Sequence, residues 1–349
     1  SALPLVIPSY VAGFIVIAAL GPRGMLQQAL DGPFSIDRLP DIHGFAGAML
    51  TLTFLSFPYV VLTVRAALLR IDPSLEESSR GLGHGGWATF FLVTLPLLRP
   101  GIAAGGLLVA LYTLSDFGAV SLLRYETFTW AIFVQYESAL DRTLGAGLSL
   151  SLVVLALAIV GLEVFSRGRA RYYSSSTSAS RPPSTVRLGR WRWPAMAFCA
   201  AVVAISLAAP MSILGYWVAR GISAGEPLNL VWVSVGNSVY IAALAAVAAV
   251  VAALPVAALS VRYPGVLSGL LERLSYVGFA LPGIAIALAL VFFGINVFTP
   301  IYQTRTLLIL AYVILFLPAA IGAIRASLMQ VNPRIEEAAR GLGKSPLEV

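Results

Sequence analysis

An all-α polytopic membrane protein is the fold class this sequence predicts, and three observations predict it. Of 349 residues, 58% are apolar and 11% charged, with a mean hydropathy of +0.87; a soluble chain carries about a quarter charged residues. Apolar runs of roughly 20 residues recur, the length a helix needs to cross a bilayer core of about 30 Å. These runs are continuous and rich in Ala, Leu and Val, without the alternation of a membrane β-barrel. Between them a polar stretch occurs twice, as 65–83 and 325–343, and the copies superpose without a gap at an offset of 260. Pro58/Pro318, Arg65/Arg325, Pro73/Pro333, Glu76/Glu336, Glu77/Glu337, Arg80/Arg340, Gly81/Gly341 and Gly83/Gly343 all match. Self-similarity at a fixed period implies tandem units.

Eight spans are expected, at about 1–20, 44–70, 98–122, 143–165, 194–219, 230–260, 268–294 and 304–329. Both polar copies follow a span of the same pattern, so they share a side. Placing them in the cytoplasm puts Arg65, Arg70, Arg80, Arg99, Arg262, Arg273, Arg325, Arg334, Arg340 and Lys344 inside. Arg23, Arg38, Arg124, Arg142, Arg220 and Arg305 then lie outside, mixed with carboxylates such as Asp31, Asp41 and Glu137. Short basic loops stay cytoplasmic, which fixes the orientation. The net charge of +7 is read as this loop bias, and no nucleic-acid partner is expected.

Residues 166–192 break the apolar pattern with serine, proline and arginine, a composition that buries no core and reads as a solvated tether. Its arginines lie near the bilayer and can touch anionic lipid. The tether divides the chain into a first half, 1–165, and a second half, 193–349. Trp191 and Trp193 stand where an interfacial aromatic belt begins the next span. Gly101 and Gly105 are spaced for close helix approach. Pro58, Pro255, Pro282 and Pro318 are expected to kink their helices. Such kinks suit a bundle lining a pathway and are equally common in structural membrane helices.

Each polar copy is built like a short capped helix. Pro73 and Pro333 suit a first helical turn. Glu76, Glu77, Glu336 and Glu337 follow near the positive end of the helix dipole. Gly81 and Gly83, like Gly341 and Gly343, allow the positive φ that stops a helix. Gly343-Lys344-Ser345 imitates the end of a phosphate-binding loop, but the earlier glycine falls at Ala338 and no strand precedes it, so nucleotide binding is rejected.

Glu77-Ser78-Ser79, three residues, Gly83, nine residues and Val93-Thr94-Leu95-Pro96 resemble the signature of binding-protein-dependent ABC importer permeases: EAA, three residues, G, nine residues, I-x-L-P. The second copy reads Glu337-Ala338-Ala339 and Gly343, with Arg340 and Gly341 between. The resemblance implies a permease-type fold with two coupling helices that dock on a cytoplasmic ATPase dimer. On that reading ATP-Mg is bound by the ATPase, and this chain is no enzyme and holds no cofactor or metal. A periplasmic substrate-binding protein and the bilayer of the bacterial inner membrane are the other implied partners. Residues 114–136 further resemble fused iron(III) permeases, two six-span halves in one chain. The eight spans would then be a fragment of twelve, cut at both ends. Thiamine permeases share this layout, and a thiamine or other small-solute cargo stays open.

Asp116 lies 17 positions after Arg99, about 25 Å along a helix, toward the periplasmic third of the membrane. With Ser115 it reads either as a pathway or gate residue or as a cap at the outer helix end. The cap is preferred, because Phe117-Gly118 can end a helix. Glu163 and Glu272 are expected at interfaces, and Asn237, Ser238 and Asn296 in capping or packing. The lone Cys199 and the separated His43 and His84 supply no metal framework. A secondary transporter with parallel repeats is the rival of another class, and it lacks the intramembrane charges needed for ion coupling beyond Asp116. A channel or scaffold using the polar loops for docking is the other.

Overall fold

The computed structural model describes residues 3–34, 38–69, 71–137, 142–166, 188–225, 229–263, 265–266, 268–271, 281–329 and 341–342. Among them every regular element is helical. Seven helical segments are long and apolar enough to span a membrane: Ser9–Asp31, Phe45–Leu68, Gly86–Ser115, Thr143–Leu162, Gly189–Ser223, Val231–Arg262 and Arg305–Leu328. The remaining expected span, 268–294, overlaps the shorter helix Gly283–Asn296, and 272–280 lies outside the described residues. Pro282 precedes that helix in extended conformation instead of kinking its interior. A proline with fixed φ and no N–H starts a helix readily.

The chain forms two compact units, Ser1–Glu226 and Pro227–Val349. The first contains α1 (Ser9–Leu20), α2 (Met25–Phe34), α3 (Phe45–Leu68), α4 (Pro73–Gly81), α5 (Gly86–Thr89) and α6 (Leu95–Ser115). It continues with α7 (Gly118–Leu122), α8 (Phe128–Glu137), α9 (Arg142–Ser166), α10 (Arg192–Val203) and α11 (Ala209–Ser223). Helix α1 packs on α3, α7 and α11, and Phe14 meets Trp217 edge to face at 6.5 Å. The sequence boundary at 166–192 thus differs from the spatial one, since α10 and α11 follow the tether yet group with the first unit.

Helices α5 and α6 are joined by a π turn, Phe90–Thr94, so that 86–115 runs as one rod. A second π turn, Ala204–Ala208, joins α10 to α11. In each case a proline follows two residues after the turn, Pro96 and Pro210. A proline ring clashes with the carbonyl four residues back, and a widened turn relieves that clash.

The main pairing of the first unit is α3 with α6. A Cβ on Gly105 would stand 2.5 Å from Thr63 Oγ1 and 2.7 Å from Val60 Cα, and one on Gly101 2.8 Å from the Ala67 Cβ. The predicted glycine spacing therefore faces α3, while Gly106 faces open space. Thr63 donates to the Tyr59 and Val60 carbonyls of its own helix, each 3.0 Å away, so its hydroxyl reaches the seam already satisfied.

The second unit contains α12 (Asn229–Arg262), α13 (Gly283–Asn296) and α14 (Arg305–Leu328), with α12 and α14 packed along each other. Ala253, Ala257 and Ile321 form its core, flanked by Leu317, Ala320 and Ile324. Helices α3 and α14 each have 24 residues, and both bounds differ by the 260-residue repeat offset, 45 against 305 and 68 against 328. Pro58 and Pro318 lie inside these helices, and both are buried.

The seam makes one stability prediction. Gly105→Leu overpacks α3 and lowers stability by about 1–3 kcal/mol, whereas Gly106→Ala is neutral; thermal unfolding in detergent measures both.

Candidate functional site

The first polar copy forms α4, and its local chemistry explains why a helix this short holds together. Asp72 is the N-cap, its side chain accepting from Ser74 N at 2.9 Å, and Pro73 occupies the first turn. At the other end Gly83 N donates to the Arg80 carbonyl at 3.0 Å and His84 N to that of Ser79 at 3.3 Å. This bond pair is a Schellman cap, which needs a left-handed residue at the position of Gly83, φ 90°. Gly81, expected to share that role, stays inside the helix as its last residue. The glycine of the signature is therefore the helix stop.

The two faces of α4 do different things. Glu76 and Ser79, three apart, point inward: Thr94 Oγ1 donates to Glu76 Oε1 at 2.8 Å. Ser79 Oγ lies 3.2 Å from both Thr89 Oγ1 and His84 Nδ1. Ser79, Thr89 and Thr94 are 5%, 1% and 6% exposed. Arg80, itself exposed, holds the other oxygen of half-buried Glu76 loosely at 3.8 Å, a pair of small energetic weight. Glu77, Ser78 and Arg80 face solvent with Leu75 and Leu82, the last 80% exposed. Leu75 on the helix and Leu82 at its C-cap thus stand exposed among Glu77, Ser78 and Arg80.

At the opposite end of α6 the chain turns at Asp116, which has an extended backbone (φ −67°, ψ 133°) and ends the helix earlier than the expected 98–122 span. Its Oδ2 accepts from Ala119 N at 3.0 Å and Val120 N at 3.4 Å, capping α7. The Thr129 hydroxyl, fully buried on α8, donates to the Asp116 carbonyl at 2.6 Å. Ser9 of α1 also bonds the carboxylate. Ser115 turns back on the Leu111 carbonyl at 2.7 Å. Asp116 thus ties α6, α7, α8 and α1 over a core of Ala48, Leu52, Ala119, Val120 and Leu123.

Of the second copy, Glu336, Glu337, Ala338, Ala339, Arg340 and Gly343 lie outside the described residues, as do Glu272 and the side chain of Glu163; Gly341 is exposed and helical. Asn237 and Ser238 fall inside α12 and cap nothing; Ser238 bonds the Ser234 carbonyl at 2.8 Å. With Tyr312 and Phe316 they line a mostly apolar groove of about 670 Å³ between α12 and α14. Asn296 bonds the Phe292 carbonyl at 2.9 Å. Among the described residues no cluster of His, Cys, Asp or Glu is placed to hold a metal. Sequence reasoning overlooked Thr89, Thr94, Thr129 and Ser9. Their signal was faint: hydroxyls in apolar context, two of them five residues apart just before Leu95-Pro96.

The sequence matches the family of binding-protein-dependent transport system inner membrane components over residues 1–172 and 245–349. The chain belongs to this family. It is 36% identical to the Fe(3+)-transport system permease protein FbpB 2 of Haemophilus influenzae, over 99% of this chain and 65% of that protein. The ferric transport system permease protein FbpB of Actinobacillus pleuropneumoniae is 26% identical over 100% of this chain and 53% of its own length. The molybdenum transport system permease protein ModB of Escherichia coli is 39% identical over 34% of this chain and 50% of its own. The chain therefore spans just over half to just under two thirds of the iron-transport relatives it matches.

The cap at Asp116 yields a test. Asp116→Ala loses about 0.5–2 kcal/mol, whereas Asn, an equally good cap, retains most of it. Thermal unfolding of the two variants measures this, and transport by the Asn variant separates a cap from a gate that needs the charge.

Proposed function

We propose that this chain is the permease of an ATP-driven importer that takes ferric iron from a binding protein and passes it across the inner membrane. The observation that carries the reading is α4: a capped polar helix at the junction of two spans, anchored on its inner face and exposing Glu77, Arg80, Leu75 and Leu82 on the other. It docks on a cytoplasmic ATPase, where ATP-Mg is bound and hydrolysed. The repeat 325–343 forms the second docking helix, in a chain of two fused permease halves. The equal lengths and equal offset of α3 and α14 support that duplication. The arginine bias of the loops supports a cytoplasmic position for both docking helices.

Closure of two ATPase subunits moves the docking helices, and that movement switches the permease between states open to the docked binding protein and open to the cytoplasm. Ferric iron is a hard cation that prefers oxygen ligands, and the described spans offer no carboxylate cluster. Tight binding then belongs to the binding protein, and the permease supplies a weak path. The iron reading draws on the relative that matches 99% of this chain, and the molybdenum-transport relative, matching 34%, makes molybdenum the second cargo to test.

Reversing the docking charges tests the partner. Glu77→Lys combined with Glu337→Lys lowers ATPase copurification about tenfold or more, the scale of breaking an interfacial charge pair, and abolishes uptake. Wild-type proteoliposomes accumulate iron from an iron-loaded binding protein and not molybdate; unchanged copurification, or uptake of molybdate alone, contradicts the corresponding part.

A further inference from the structure

Most hydroxyls within the spans bond to their own helix. Thr51, Ser56, Thr113, Ser149 and Ser206 each donate to the carbonyl four residues back, at 2.6–2.9 Å. In hydrocarbon this satisfies the group and leaves it inert toward other elements. Thr89 and Thr94 do otherwise: both are buried and both reach across to α4, to Ser79 and Glu76.

The π turn makes that possible. Residues five apart stand roughly 140° apart around a regular α-helix, so they face different neighbours. A π turn, closed by bonds across five residues, brings them back toward one face. Leu95 N bonds the Phe90 carbonyl in this way, and Pro96, with no N–H to give, favours the widened turn. Thr89 and Thr94 then meet Ser79 and Glu76, which share a face of α4 because they are three apart. The backbone between the helices supplies no such stiffness. Gly81, Gly83, Gly85 and Gly86 crowd the connection, and glycine leaves the chain its greatest freedom.

We propose that Thr89 and Thr94 are positioning residues, a two-point latch that makes α4 and α6 one rigid body. Movement of the docking helix is then carried into the membrane instead of being absorbed by the glycine connection. The latch rests on the docking role of α4 and adds to it the element through which force leaves the helix. It also gives the Leu-Pro end of the signature a physical task, holding the π turn that aligns the two threonines.

The test uses the complete transporter with its ATPase, in liposomes. Spin labels are placed at Ser78→Cys on α4 and Gly106→Cys on α6, both exposed, in a Cys199→Ala background. With the latch intact, the distance distribution between labels stays the same when ATP is added. Thr89→Val with Thr94→Val broadens it and makes it ATP-dependent, while ATPase still copurifies. Iron delivered per ATP falls about tenfold, the factor expected for losing one hydrogen bond to a charged group. Thr94→Ser, in the otherwise intact latch, keeps the wild-type distribution. An ATP-dependent distance in the wild type, or a double variant with unchanged distribution, overturns the latch while leaving docking intact. If no ATPase copurifies with the wild type, the docking role fails and the latch fails with it.

Discussion

With no side chain on Gly101 or Gly105, α6 lies against Val60, Thr63 and Ala67 of α3 at a separation that any Cβ would prevent. In a bilayer the tails are as apolar as the helices, so association draws on such close packing instead of on the expulsion of water. The contact sets where everything else in the first unit can stand. At one end of α6 the chain widens into a π turn and presents Thr89 and Thr94 to α4; at the other it stops at Asp116 and is tied to α7, α8 and α1. The α3–α6 pair is thus a stiff beam with a polar attachment at each end.

Polar groups are scarce in this chain, and the described ones divide by what they bond. Hydroxyls in mid-span return to their own backbone. Thr89, Thr94 and Thr129, at the two ends of the α6 rod, instead bond across to a neighbouring element, where a hydrogen bond shielded from water is strong and its loss leaves a buried group unpaired. Asp116 illustrates the economy of the design. One carboxylate, buried to 7% exposure, satisfies two backbone amides that the start of α7 would leave without partners.

Much of this was legible in the sequence. Continuous apolar runs announced helical spans, the 260-residue offset matched Pro58 to Pro318 in spans of the same pattern, and the glycine spacing announced a close helix approach without naming α3 as the partner. A short capped helix followed from Pro73, Glu76, Glu77 and the glycines at 81 and 83, whose local chemistry acts within a few residues, while the Asp72 cap emerged only with the structure. What escaped was non-local or depended on backbone geometry. The π turn leaves no periodicity of its own, so Thr94 was read only as the variable position of Val93-Thr94-Leu95-Pro96. Asp116 was placed at the right helix end, but its ties to Thr129 and Ser9 join residues distant in sequence. Within the expected 268–294 span Pro282 begins a helix, a role its apolar surroundings did not announce, and the division at the tether gave no hint that α11 packs on α1.

Hydrogen exchange along the full-length chain, with and without its ATPase, tests the central claim most directly, because it asks whether α4 is where the two proteins meet. The account predicts that amides of residues 74–82 become protected on complex formation while those of α8 and α9 keep their rates. Protection that falls elsewhere and spares α4 would contradict it.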